Sequence, residues 1–113
     1  MNQDNDIRGL SKKEVIDIYM GRFQSFPNGQ PAKPVDFPAE TEVKSDFYTL
    51  LVNQSESRIQ SYWSRLYFSG RAQPPHQSKS VDEVILRVTK DVSTLAYIPA
   101  EHVTNDMRVV FAF

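Results

Sequence analysis

Apolar residues recur at helical spacing in four stretches of the chain, and a residue that can cap a helix precedes each stretch. Ser11 begins the first helix, Glu14 stands where it completes a capping box, and Gly21 ends the helix. Further helices are predicted to begin at three later positions, Thr41, Ser55 and Ser80. We therefore expect four helices, the third of which ends before Gly70.

The same spacing indicates which side chains lie on the buried face of each helix. For the first two helices they are Val15, Ile16, Tyr19 and Met20, then Val43, Phe47, Leu50 and Leu51. For the last two they are Ile59, Tyr62, Trp63, Leu66 and Tyr67, then Val81, Val84, Ile85 and Val88. Because the aromatic residues follow this spacing, packing in the core is their predicted role.

Three short segments rich in β-branched and aromatic residues are predicted to be strands. They are residues 33–37, with Pro34 at a strand start or edge, residues 95–98 and residues 108–113. Because helices alternate with these strands, we expect an α/β fold. Residues 1–113 would form a single three-layer-like lobe, with a small, mostly parallel sheet flanked by about four helices and an N-terminal loop at residues 1–9.

Composition supports one packed domain and narrows the classes of partner. The chain has 113 residues, of which 40% are hydrophobic, enough for one core but not for two lobes. Its 13 Lys and Arg nearly balance its 14 Asp and Glu and form no basic stripe, so no nucleic-acid partner is predicted. No apolar run is long enough to span a membrane. The absence of cysteine excludes a thiolate nucleophile and a Cys-based zinc site.

Several short segments, taken in order, resemble those of a known family. They are Ile18-Tyr19-Met20-Gly21-Arg22, Phe26-Pro27-Asn28-Gly29, Tyr62-Trp63, Phe68-Ser69-Gly70, Pro74-Pro75 and Leu95-Ala96-Tyr97-Ile98-Pro99. This series resembles the phosphate-type periplasmic solute-binding proteins of ABC transporters. The resemblance implies a periplasmic-binding-protein-like lobe, a non-enzymatic protein without a cofactor, and a periplasmic location. It also implies that the partner is an ABC transporter or another envelope protein.

Members of this family are bilobed, whereas this chain has room for one lobe. The resemblance therefore implies that the opposing wall of a ligand cleft comes from a second copy, in a homodimer, or from another protein. The first predicted helix has no strand ahead of it, which relatives commonly have. We accordingly expect the gene product to extend upstream of residues 1–9, supplying this strand and a signal peptide that is later removed.

The first candidate ligand residue lies at the start of the second predicted helix. Thr41 stands where phosphate-binding members of the family have a Ser-Gly-Thr turn. The resemblance implies that its hydroxyl and the nearby amide groups face a small anion, which a helix start favours. The flanking Glu40 and Glu42 would repel that anion, and the arginine of the family pattern is absent between Asp36 and Val43.

A second candidate anion site lies at the start of the fourth predicted helix. Ser78, Lys79 and Ser80 gather donors there, and Arg71 lies in the preceding loop. The alternative is that Ser80 caps the helix with Glu83 while the cations are solvated. The candidate ligand-binding residues are therefore Thr41, Arg71, Ser78, Lys79 and Ser80.

Two functions agree with these patterns. The first is a solute-binding-like protein for a small anion, and the second is an envelope protein-interaction module that keeps the fold and has lost the ligand. Residues 71–76, stiffened by Pro74-Pro75, and the apolar C-terminal segment offer surfaces to a partner. No enzyme is predicted, because the two histidines, His76 and His102, match no local metal spacing and have no evident catalytic partner.

Overall fold

Four α-helices and three short strands make up the fold, as given by a computed structural model that describes residues 1–69 and 73–113. In chain order they are α1 (Lys12–Tyr19), β1 (Lys33–Asp36), α2 (Glu42–Val52), α3 (Glu56–Ser69), β2 (His76–Gln77), α4 (Val81–Lys90) and β3 (Thr94–Ala96). The predicted α/β class is confirmed. In the described part of the chain, no helix is long and apolar enough to cross a membrane.

Side-chain caps begin the helices where the sequence predicts them. Glu14 N–H donates to Ser11 Oγ at 3.1 Å, and Ser11 N–H donates to Glu14 Oε1 at 2.8 Å, so α1 has a complete capping box. Thr41 Oγ1 accepts from Lys44 N–H at the start of α2. After α1, Gly21 has a φ of 77°, a left-handed conformation that glycine adopts without strain.

All three strands are parallel, and β1 lies between β2 and β3. Val35 of β1 pairs with His76 on one side and with Ala96 on the other. Pro34 is the second residue of β1, close to the strand start. Because β1 pairs on both sides, it is a central strand and not an edge strand. The sequence does not predict β2, because two exposed polar residues after Pro75 carry no apolar alternation.

The two faces of the sheet pack against different helices. The larger core joins β3 to α1, α2 and α3 through Leu95, Tyr19, Phe47 and Trp63, among others. The smaller core joins β1 to α4 through Val35, Phe37 and Val84. Helices on both sides of a small parallel sheet give the layered arrangement that the alternation of helices and strands predicts.

The predicted last strand, residues 108–113, is not a strand. This segment runs beside the N-terminal segment and meets it at separated hydrogen bonds. Arg108 N–H donates to the Met1 carbonyl at 2.7 Å, and Leu10 N–H donates to the Val110 carbonyl at 2.8 Å. Between these points the N-terminal segment turns on the side chain of Asn5, which accepts from the N–H two residues on. A continuous ladder therefore does not form.

Candidate functional site

The carboxyl ends of the three parallel strands meet at one edge of the sheet, where open α/β sheets bind their ligands. β1 ends at Asp36, whose carbonyl accepts from Ser78 N–H at 2.9 Å. Lys44, in the first turn of α2, holds its Nζ 3.5 Å from the side-chain oxygen of Gln77 at the end of β2. The side chains gathered at this edge are called the Asp36 cluster: Asp36, Lys44, Tyr48, Ser78 and Tyr97.

The Asp36 carboxylate is the centre of this cluster and is only 5% exposed. The Tyr48 hydroxyl lies 2.9 and 3.0 Å from its two oxygens, and the Tyr97 hydroxyl donates to it at 2.7 Å. The Tyr97 oxygen also accepts from Phe37 N–H at 2.9 Å. Two phenol hydroxyls therefore solvate the carboxylate in place of water, as a buried charge requires.

Aromatic packing holds the two phenols in position. The ring of Phe47 stacks on that of Tyr97 with centroids 3.8 Å apart and planes 9° from parallel. Phe37 also stacks on Tyr97, with the two ring centroids 5.3 Å apart. Tyr19, fully buried, keeps its hydroxyl within 2.9 to 3.0 Å of the Val35 and Leu95 carbonyls. Residues of α1, α2 and β3 thus fix the geometry around Asp36.

Burial raises the pKa of the Asp36 carboxyl above its ordinary value. The hydrogen bond from Tyr97, the charge of Lys44 and the hydrogen bond from Tyr48 oppose this effect, and the charge of Glu56 adds to it. Burial and the charge of Asp36 raise the pKa of both phenols, Tyr48 and Tyr97, so these hydroxyls stay protonated donors. The cluster therefore holds one carboxylate whose burial the two phenols and Lys44 offset only in part.

The raised pKa of Asp36 gives a pH dependence that Asp36→Asn isolates. Between the pKa of the unfolded carboxyl and its raised value in the fold, the folded state binds more protons than the unfolded state. The free energy of unfolding that Asp36 contributes therefore falls as pH rises through this interval. We expect wild type minus Asp36→Asn, measured by urea denaturation across a pH series, to decrease and then level off. A difference that increases with pH would contradict the assignment.

Thr41 and Ser80, two of the predicted ligand residues, use their hydroxyls within the fold. Thr41 Oγ1 donates to the Pro38 carbonyl at 2.8 Å and accepts from Lys44 N–H. Ser80 Oγ accepts from Glu83 N–H at 3.2 Å. Both are therefore helix caps. For Ser80 this is the alternative to anion binding that the sequence analysis gives. Their role in binding an anion stays a prediction.

The other predicted ligand residues differ in their surroundings. Ser78 is 1% exposed, and its Oγ has no hydrogen-bond partner among the described residues. Lys79 has an exposed side chain, and its backbone N–H donates to the Glu83 carboxylate. Arg71 lies outside the described residues. The fold thus brings Thr41 and Ser78 to the same edge of the sheet, with Lys79 and Ser80 directly after Ser78.

Glu83 gathers the polar groups at the start of α4. Its carboxylate accepts from Lys79 N–H, lies 3.1 Å from His76 Nε2 and pairs with Arg87 Nε at 3.3 Å. These contacts, the Lys79 N–H foremost, lower the pKa of Glu83 to about 2. His76 thus has an acidic neighbour that the sequence does not indicate. Within the described residues, no three His, Asp or Glu side chains are grouped so that they could hold a metal ion.

Sequence reasoning misses the centre of the site, Asp36, and both phenols that bind it. Asp36 carries one available signal, since a carboxylate at the end of a short strand lies at the carboxyl edge of a parallel sheet. Tyr48 and Tyr97 carry none, because each is also an ordinary aromatic of a helix or strand. Their hydroxyls meet only when α2 packs on the sheet near the residue that follows β3.

Comparison with known proteins finds no relative to which this site can be referred. No protein-family model matches the chain, and neither a curated protein nor a solved structure matches it. The resemblance to phosphate-type solute-binding proteins therefore stays a prediction, and the geometry of the described residues is the basis for assigning a function.

Proposed function

We propose that this protein is a non-enzymatic binding module that engages another protein, the second of the two functions considered from the sequence. The observation that carries the proposal is the Asp36 carboxylate at the carboxyl edge of the sheet. In a receptor for phosphate this edge must offer unpaired donors to an anion. Here two donors at the edge, the Tyr48 and Tyr97 hydroxyls, are already bound to a carboxylate of the chain itself.

The start of α2 supports the same conclusion. The Glu56 carboxylate, at the start of α3, accepts from Glu40 N–H at 3.0 Å, and Thr41 supplies the cap. Glu42 adds a further negative charge in the first turn of the helix. These carboxylates interact favourably with the positive end of the helix dipole, and they would repel a phosphate.

A receptor for a small anion is the second candidate, because the start of α4 retains one unused donor. The Ser78 hydroxyl is buried without a described partner, and Lys79 supplies an exposed cation beside it. Against this candidate, Ser80 and Glu83 already satisfy amide groups at the same helix start. The periplasmic location and an ABC transporter or other envelope protein as partner belong to the proposal, as the resemblance implies.

Thermal denaturation in the presence of phosphate, sulfate and phosphonates separates the two candidates. For the interaction module we expect a flat screen, whereas a receptor at about 100 times its Kd would gain about 2.7 kcal/mol, a rise of several degrees. Lys79→Ala is the control, because this exposed side chain can be shortened without disturbing the core. A rise in Tm that this variant abolishes would establish the receptor and refute the interaction module.

A further inference from the structure

A groove between α1 and α3 is lined by cations. The groove has a volume of about 1000 Å³. Ile16 and Met20 form its α1 wall, and Arg22 follows that helix. Arg58 and Arg65 lie on the α3 wall. We call this surface the α1–α3 groove. None of the described residues that line it is acidic.

Among the described residues, none pairs by charge with two of the three guanidinium groups. Arg58 and Arg65 are exposed, and neither forms an ion pair with a described residue. Arg22 pairs with Asp17 through Nη1 at 3.2 Å, but Asp17 also pairs with Lys13 at 2.9 Å. One buried carboxylate therefore serves two cations, so this trio keeps a net positive charge. The groove is positive although the whole chain has a net charge of −1.

The helix geometry of α3 orders these charges along the groove. Arg58 and Arg65 are one heptad apart, about two helical turns, so they lie on one face of α3 and about 10 Å apart along its axis. Ser57, Ser61 and Ser64 also line the groove and add hydroxyl groups near the two cations. A row of donors with this spacing suits a chain of carboxylates better than one small anion.

Apolar side chains lie between the cations and determine the class of partner. Ile16, Met20, Val52 and Ile59 line the groove, and the Tyr62 hydroxyl donates to the Met20 carbonyl at 2.7 Å, which joins α3 to the end of α1. A surface that combines guanidinium groups with apolar contacts fits a peptide that carries both carboxylates and apolar side chains.

We propose that the α1–α3 groove docks an acidic segment of a partner protein, one in which Glu or Asp residues flank apolar residues. The proposal rests on the proposed function, which it deepens by naming the surface and the chemistry of the partner. The carboxylates bind Arg58, Arg65 and Arg22, and the apolar side chains cover Ile16 and Val52. Charge complementarity selects this occupant over a basic or neutral segment.

Fluorescence anisotropy with a labelled peptide, Glu-Leu-Glu-Ala-Ala-Glu-Leu-Glu, tests the proposal on the full chain. We expect saturable binding that weakens with added salt and is absent for the same peptide with Gln in place of Glu. In the double variant Arg58→Glu, Arg65→Glu we expect binding at least about tenfold weaker. The matched control is Arg8→Glu, Lys90→Glu, which changes the net charge equally at exposed positions outside the groove lining and should bind within about twofold of wild type.

Three results would overturn the proposal. They are the absence of peptide binding by the folded wild-type protein, equal loss in the two double variants, and tighter binding of single-stranded oligothymidylate than of the peptide through the same arginines. The last would make the occupant a nucleic acid. If the peptide experiment fails, the proposed interaction module is not refuted with it. That function is tested separately, by the thermal screen with anions and the variant Lys79→Ala at the start of α4. Unchanged Tm values confirm that each variant is folded.

Discussion

Asp36→Ala is expected to lower the free energy of unfolding by about 3 kcal/mol at neutral pH. The substitution leaves the hydroxyls of Tyr48 and Tyr97 without their acceptor in a buried place, and each unsatisfied hydroxyl costs about 1–3 kcal/mol. Because burial raises the pKa of Asp36, the charge itself opposes folding, and the loss arises from the stranded hydroxyls. Urea denaturation followed by circular dichroism measures it.

Asp46→Ala is the matched control for this prediction. Asp46 lies on α2 close to Tyr48 in sequence, but its side chain is exposed, so we expect a change within about 0.5 kcal/mol. If Asp36→Ala were as mild as this control, the phenols would find other partners and the cluster would not depend on its carboxylate. A cost confined to Asp36 supports the closed site on which the proposed function rests.

Phe47→Ala is expected to cost about 4 kcal/mol, the largest effect of a single truncation that we predict. Phe47 is 5% exposed and contacts the rings of Tyr19, Tyr48 and Tyr97. Its removal leaves a cavity in the larger core and also frees Tyr97 from the stacking that directs its hydroxyl to Asp36. Thermal and urea denaturation measure the loss.

Leu50→Ala provides the comparison within the same helix. Leu50 is 54% exposed, although the helical spacing predicts that it is buried, and we expect its truncation to change stability by about 0.5 kcal/mol or less. Similar costs for Phe47→Ala and Leu50→Ala would show that α2 packs by the face that the sequence predicts. A large difference would support the face seen in the structure.

What the sequence predicts well depends on contacts between near neighbours in the chain. Ser11, Thr41 and Ser80 cap helices through residues three positions on, and Gly21 ends α1 through its own backbone conformation. Such features need no knowledge of the rest of the fold. The helix starts and the α/β class could therefore be predicted.

What the sequence misses depends on pairs that are distant in the chain. Tyr48 is buried while Leu50 is exposed because the Tyr48 hydroxyl reaches Asp36, a contact that helical periodicity does not include. Lys44 is buried for a related reason, since it faces Gln77 and the charge of Asp36. A periodic apolar pattern ranks side chains by hydrophobicity and cannot show which polar group has a partner.

The candidate anion-binding residues also show that a local sequence pattern does not give the contacts of the folded chain. The group from Ser78 to Ser80 resembles a binding site because donors are concentrated there, and the sequence leaves this interpretation open beside the Ser80 cap that the structure shows. The predicted strand at residues 108–113 is similar. Its pattern is suitable, but the segment beside it turns at Asn5 and cannot form a ladder.

The order of strands in the sheet has a consequence for the protein while it is being synthesised. Strand β1 is made first, yet both of its partners come later: β2 at His76–Gln77 and β3 at Thr94–Ala96. Until those residues leave the ribosome, both edges of β1 lack their hydrogen-bonding partners, a state that favours pairing with other chains. We therefore expect the sheet to assemble only after β3 has emerged, so that its contacts form late in synthesis.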